Sequence, residues 1–441
     1  MIKTLTHGSP IRLLLEFSLP VILGNFFQQF YTLADTMIIG RCLGLDELAG
    51  VGTTNALTFL VINTCIGICS GFAIPVAQRF GADELGKMRQ YIFNGIWLTS
   101  IISLLFALFT GVGCHALLTI MITPADIFQY AYDYILVIFL GIPATLFYNY
   151  LASVIRALGD SRTPLKMLVV SAFINIALDL LMILVFHMGV AGAALATVIS
   201  QIISIILCLY AMRKITVLRS SDFERRISIP MMLRLLKNGI PMGLTSAVTA
   251  IGVAILQVAV NEMGTVTVAA VAAADKLYGV IAGPISGFGA AIASFAGQNT
   301  GAGNGKRVRE GLRAAMLLCA ATSAIMFAFT FFAGRYLVML FVSSSAAQVI
   351  LMAHRLLTSW AAAFIFLSVQ QNFIQTIQGM GYPKFSVISG LLEVAGRAIS
   401  AVRLTKMFGF AGVCAAVPLA WMFASAFLIP TYFICWKRGF S

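Results

Sequence analysis

Residues 13–39 read LLLEFSLPVILGNFFQQFYTLADTMII, an apolar run interrupted near its end by one carboxylate, Asp35. At a rise of about 1.5 Å per residue, roughly 20 apolar residues cross the hydrocarbon core of a bilayer. An ionisable group at that depth is costly and points by default to a functional site. A second run, FINIALDLLMILVF at residues 173–186, carries Asn175 and Asp179 on one helical face. We expect the function where these polar groups meet.

The composition excludes a soluble globular protein. Of 441 residues, 60% are hydrophobic and 10% charged, whereas soluble domains carry about 25% charged residues. A net charge of +13 would suggest nucleic acid in a soluble chain, but here the basic residues lie in short loops between apolar runs. We predict an all-α polytopic protein of the inner (plasma) membrane, embedded in the lipid bilayer as a monomer, with no nucleic-acid partner.

Apolar runs separated by Gly, Pro and charged residues predict twelve transmembrane helices. We place them near 12–39, 47–78, 90–112, 130–157, 164–187, 191–213, 231–261, 266–297, 311–333, 348–378, 384–408 and 411–436. The connections that follow even-numbered spans hold most of the Lys and Arg, so the positive-inside rule puts both termini in the cytoplasm. The first run lacks a small-residue cleavage site, so we expect no cleavable signal peptide.

The two halves of the sequence resemble each other. FSLPVILG pairs with NGIPMGLT, which aligns Pro20 with Pro241, and RALGDSRTP, MGVAGAALA and a Ser-Gly-Phe segment also recur in order in the second half. A repeat of six helices gives two bundles inserted the same way up, related by a pseudo-twofold axis along the membrane normal. We assign an N-lobe to residues 1–215, a cytoplasmic connector to 216–230 and a C-lobe to 231–441.

These features together resemble the multidrug and toxic compound extrusion (MATE) family. The segments that carry the resemblance are FYTLADTMIIGRCLGLDELAGVG, RFGADELGKMR, RALGDSRTP and GQNTGAGN, and it covers the whole chain. The resemblance implies two six-helix bundles that alternate access and export organic, often cationic, compounds in exchange for Na+ or H+.

Four polar residues are expected at one depth, in the outer half of the membrane: an acid in the first span, an Asn and an Asp in the fifth, and a Thr in the sixth. The pattern resembles the N-lobe cation site of prokaryotic MATE transporters, which assigns ion coupling to Asp35, Asn175, Asp179 and Thr197. Carboxylate, amide and hydroxyl oxygens suit Na+, and two close carboxylates also suit a shared proton. The choice between the ions stays open, and no other cofactor is expected. A structural hydrogen bond for Asp179 and back-bonding of Thr197 to its own helix remain alternatives.

Further polar residues are weaker candidates. Pro20 removes a backbone donor and is expected to kink the first helix. Glu393 and Arg397, four residues apart, favour a self-neutralised pair over a substrate or gating site. Substrate or supporting contacts are assigned to Asn25, Gln28, Gln29, Tyr31, Gln257, Asp275, Glu393 and Arg397.

The leading functional hypothesis is a secondary antiporter that exports cationic amphiphilic small molecules. The alternatives are a flippase of lipid-linked precursors, which should carry basic residues in its first span, and a metabolite exporter of the same superfamily. An enzyme is not expected, because the chain shows neither a His/Asp pair nor a sizeable extramembrane domain, and GxxxxGK[ST] does not occur.

Overall fold

The computed structural model describes residues 3–218, 226–343 and 345–440, and in these residues the fold is all-helical. The helices are α1 (Pro10–Cys42), α2 (Leu45–Gly81), α3 (Leu85–Ile120), α4 (Phe128–Leu140), α5 (Ile142–Ala157), α6 (Arg162–Leu180), α7 (Gly189–Arg213), α8 (Ile229–Glu262), α9 (Thr265–Gly301), α10 (Gly305–Val338), α11 (Ala347–Ala362), α12 (Phe364–Gly379), α13 (Lys384–Ile399), α14 (Thr405–Phe408) and α15 (Phe410–Phe440). A π-helical turn follows α6 at Leu181–Val185 and another follows α13 at Ser400–Leu404, and a 3-10 turn lies at Thr216–Leu218.

The prediction of twelve spans is confirmed, although two of them are broken. Ten helical segments in the described residues are long and apolar enough to cross a membrane, and two bent pairs bring the number to twelve. The bends are 47° between α4 and α5 and 50° between α11 and α12. The spans predicted at 130–157 and 348–378 are therefore each formed by two helices with a bend between them. At the first break, a Cβ on Gly141 would lie 2.2 Å from Val198 Cγ2, so the glycine lets α7 approach.

The internal repeat is visible in the backbone. Left-handed residues occur at equivalent turns of the two halves, where a helix ends and the chain reverses. The matched pairs are Gly44 and Gly264, Asp83 and Gly303, Gly159 and Gly381, and Gly189 and Gly409. Shared turn geometry at four places shows that the recurring sequence motifs encode the same local structure.

The chain packs into two compact units. Unit 1 comprises Met1–Lys3 and Phe26–Gly243, and unit 2 comprises Thr4–Asn25 and Leu244–Ser441. The predicted lobe boundary differs from this division, because the first part of α1 packs in unit 2 and the first part of α8 packs in unit 1. α1 itself runs unbroken through Pro20, and the kink expected there stays a prediction.

The predicted connector lies partly outside the described residues, at 219–225. On its far side the chain is tied to α3 in unit 1 by Asn94. The Asn94 amide donates to the Arg226 carbonyl at 3.1 Å and accepts from the Ser228 N–H at 2.7 Å. The start of α8 is thereby fixed against α3.

Within unit 1, α2 packs closely against the first part of α8. A Cβ on Gly71 would lie 2.5 Å from the Gly239 Cα atom and 2.7 Å from the Asn238 carbonyl oxygen. Gly67 approaches Met242 and Gly243 in the same way. Membrane helices associate through small residues of this kind, because apolar side chains gain little by leaving lipid.

Gly71→Ala therefore inserts a methyl group into a backbone contact. We expect a destabilisation of about 1–3 kcal/mol, measured as a lower apparent melting temperature of the purified protein in detergent. Gly52→Ala is the matched control, since Gly52 lies on the same helix and has no atom within 4 Å of its added Cβ. Equal melting temperatures for the two variants would contradict the tight α2–α8 contact.

Candidate functional site

Two carboxyl groups face each other inside unit 1. Asp35 on α1 and Asp179 on α6 lie within hydrogen-bonding range of each other. Asp179 is fully buried and Asp35 is partly exposed. A hydrogen bond between two carboxyl groups needs a proton on one of them, because ionised carboxylates only accept. The fold thus brings together the two acids that the sequence singled out.

Asn175 and Thr197 complete the predicted set. Asn175 is fully buried one turn before Asp179. In one orientation its amide donates to Thr197 Oγ1 at 3.4 Å. Turned by 180°, it donates to Asp179 Oδ2 at 3.0 Å and accepts from the Thr197 N–H at 3.2 Å, which satisfies both ends of the amide. We adopt the second orientation, in which Asn175 links α6 to α7.

Tyr31 belongs to the same network. Tyr31 lies one turn before Asp35 on α1, and its hydroxyl oxygen is 3.1 Å from Thr197 Oγ1. The sequence assigned it to supporting contacts, and the structure places it against the four central residues. Three helices, α1, α6 and α7, thus contribute oxygen-bearing side chains to one location.

Tyr134 on α4 is a site residue that sequence reasoning missed. Its hydroxyl interacts electrostatically with Tyr31, Asp35 and Asp179. The only signal in the sequence was a tyrosine within the apolar run YILVIFL, and most such residues pack between helices.

An apolar layer lies one helical turn beyond the acids. Its members include Ile39, Ile183 and Ala193, each four residues from Asp35, Asp179 or Thr197, together with Val51 and Val190. All five side chains are at most 9% exposed. These five side chains therefore offer no polar group to an ion on that side of the acids.

The acid pair has unused acceptors. Asp35 Oδ1 and Asp179 Oδ1 are buried and lack a hydrogen-bond partner among the described residues. Buried polar atoms are normally satisfied, and unsatisfied carboxylate oxygens are suited to a proton or a hard monovalent cation. The π-helical turn at Leu181–Val185 begins two residues after Asp179, and such turns are frequent at functional sites.

The predicted pair in the second half is neutralised. Arg397 Nη2 lies 2.6 Å from Glu393 Oε1, and both side chains are buried. Gln370 Nε2 donates to Glu393 Oε2 at 2.9 Å, and Arg397 Nη1 donates to the Thr249 carbonyl at 3.1 Å. In unit 2 the pair therefore joins α13 to α12 and α8.

The other weak candidates do not join the acid pair. Asn25 lies in unit 2 and its amide is 3.4 Å from the Gly283 carbonyl. Gln257 donates to Asn261 at 2.8 Å. The exposed Asp275 interacts electrostatically with Arg397 in unit 2. The remaining two, Gln28 and Gln29, are exposed on α1.

Known proteins share both the sequence pattern and the fold. The MatE family model matches the chain twice, at residues 20–181 and 241–402. A probable multidrug resistance protein of Bacillus subtilis, YpnP, is 30% identical over 347 residues, which cover 78% of this chain and 77% of that protein. A FAD transporter of Shewanella oneidensis is 24% identical over 317 residues, which cover 69% of this chain and 70% of that protein.

Solved structures show the same architecture. A multidrug resistance MATE family transporter of the MOP superfamily superposes with a TM-score of 0.90 at 21% identity, covering 99% of this chain and 98% of the other. At that identity the likeness is one of fold. The double match to the family model, together with the relative at 30% identity, identifies this multi-pass membrane protein as a member of the MatE (multidrug and toxic compound extrusion) family.

Proposed function

We propose that this chain is a secondary antiporter that exports organic compounds in exchange for Na+ or H+ entering at the Asp35–Asp179 pair. The observation that carries the proposal is the direct approach of two carboxyl groups inside an apolar bundle. Asn175, Thr197 and Tyr31 support them with amide and hydroxyl groups. Binding a cation or a proton there removes the repulsion between the acids, so occupancy and conformation are coupled.

Transport, rather than catalysis, fits the family and its relatives. The name of the Bacillus relative supports organic drugs as substrates, and we propose cationic amphiphiles as the main class. One charge moving through about 100 mV releases roughly 2.3 kcal/mol, enough for about a fiftyfold gradient of a neutral substrate. We further propose a monomer in the plasma membrane with both termini in the cytoplasm, on the basis of the Lys and Arg in the intervening loops.

A metabolite exporter is the second candidate. The specific observation in its favour is the match to a protein named as a FAD transporter, over more than two thirds of both chains. The same ion-coupling pair would serve either cargo, since nothing in the acid pair recognises the exported compound.

Asp35→Asn is expected to abolish gradient-driven export. The amide cannot carry the exchangeable charge, although it has nearly the same shape. The measurement is dye efflux from proteoliposomes with separately imposed Na+ and pH gradients, where the rate should fall to that of protein-free liposomes. Asp46→Asn is the control, because Asp46 is an exposed acid in the first turn of α2. Efflux at the wild-type rate in Asp35→Asn would reject the assignment.

The variant Asn175→Ala is expected to show whether Na+ or H+ drives transport. If Na+ is the ion, loss of an oxygen ligand raises the Na+ concentration for half-maximal transport by about 10–100-fold. If H+ is the ion, transport driven by pH continues, because the proton resides on the carboxyl groups. Asn63→Ala is the control, since the Asn63 amide bonds only to the Phe59 carbonyl of its own helix. Suppose that the wild type is driven by Na+ and that Asn175→Ala and Asn63→Ala need the same Na+ concentration for half-maximal transport. Asn175 would then not be a ligand of the ion.

A further inference from the structure

Four basic residues lie together at one end of three helices in unit 2. Arg309 and Arg313 interact electrostatically with Tyr432 of α15. Cys435, three residues later on the same face of α15, interacts with two further basic residues. The four, here called the basic cluster, are Arg309 and Arg313 near the start of α10, Lys384 at the start of α13 and Arg438 near the end of α15. Three helices thus bring their basic residues to one place.

Arg309 is held in position without having its donors used. Its Cζ atom lies 4.1 Å from the centroid of the Trp436 ring, a distance typical of a cation–π contact. Trp436 is itself fixed, because its Nε1 donates to the Gly305 carbonyl at 3.0 Å. The Arg309 Nε atom is buried and lacks a hydrogen-bond partner in the part of the chain that the structure describes. A guanidinium with five donors is therefore oriented but not satisfied.

No carboxylate neutralises the basic cluster. Within residues 3–218, 226–343 and 345–440, none of its four side chains forms an ion pair with an acid. Glu310 follows Arg309 in the sequence but interacts with Arg307 instead. Neighbouring positive charges repel one another, so a negative group from outside the chain would stabilise this end of unit 2.

The basic cluster lies where the three helices leave the hydrocarbon of the membrane. Three of its residues have an exposed apolar residue four positions away on the same helical face. The pairs are Arg313 and Leu317, Lys384 and Ile388, and Arg438 and Ile434, and the apolar members are 66%, 43% and 50% exposed. Exposed apolar side chains on spanning helices face acyl chains. The basic residues, one turn or about 6 Å away, are then at the depth of the headgroups, where Trp is also enriched.

We propose that the basic cluster binds the headgroup phosphate of an anionic phospholipid, whose acyl chains lie against Leu317, Ile388 and Ile434. A guanidinium binds phosphate oxygens through charge-assisted, often bidentate hydrogen bonds. Basic groups between spanning helices are suited to phosphate headgroups. The occupant is a lipid rather than a soluble anion, because the charges and the apolar side chains lie on the same helical faces. This inference is independent of the proposed antiport.

The test measures lipid binding to the purified full-length protein in detergent by native mass spectrometry. Phosphatidylglycerol and phosphatidylcholine with identical acyl chains are titrated separately, and we expect the first phosphatidylglycerol to bind more tightly. The double variant Arg309→Gln, Arg313→Gln should raise the Kd for that lipid about tenfold or more and leave phosphatidylcholine binding unchanged. Arg309→Lys with Arg313→Lys keeps the charge but loses the planar fork, so its Kd should fall between those of the wild type and the glutamine variant.

The matched control is Arg162→Gln with Lys166→Gln. These residues are also exposed, four positions apart and near the start of a spanning helix, α6, and the control should bind both lipids as the wild type does. Equal losses in the two glutamine variants would indicate general charge attraction and overturn the proposal.

Three other results would also overturn it. They are equal affinity of the wild type for the two lipids, parallel loss of both lipids in the Arg309 and Arg313 variants, and displacement of phosphatidylglycerol by inorganic phosphate at equal concentration. If the glutamine variant cannot be purified, the lysine variant decides, since it must bind phosphatidylglycerol less tightly than the wild type.

Discussion

The structure depends on two carboxyl groups held against each other in an apolar bundle. Two unit charges 4 Å apart interact by about 4 kcal/mol at an effective dielectric of 20, so Asp35 and Asp179 cannot both stay ionised and unaccompanied at low cost. The surrounding groups make the pair specific. Asn175 and Thr197 hold it from α6 and α7, and the apolar layer offers no polar group on one side.

The two halves share the backbone conformation of their turns but differ in the charge of their buried polar residues. Matched left-handed residues and paired helix breaks show a common scaffold. In unit 1 Asp179 on α6 lies beside a second acid, Asp35 on α1, whereas in unit 2 Glu393 on α13 is paired with Arg397 at 2.6 Å. A fixed internal ion pair does not need an external ion. The asymmetry supports coupling in the first half and leaves the second half to hold helices together.

Apolar periodicity and charge were sufficient to predict twelve spans. Recurring motifs indicated the repeat, and the four central residues were assigned from polar groups in apolar runs together with the resemblance to the MATE family. These patterns could not predict the breaks at Gly141 and Ala363, because the residues on both sides are equally apolar and the bend depends on packing against other helices. Tyr134 was missed because a tyrosine within an apolar run gives no signal that separates a site residue from a packing residue. The placement of α1 across the two units was also missed, since a sequence repeat reports similarity between segments rather than which segments pack together.

The continuity of α1 has a structural consequence. Residues up to Asn25 pack in unit 2, and residues from Phe26 pack in unit 1. Asp35 lies ten residues beyond that division, about 15 Å along the same rod. One uninterrupted helix therefore belongs to both units, so the backbone that carries Asp35 in unit 1 continues without a break into residues that pack in unit 2.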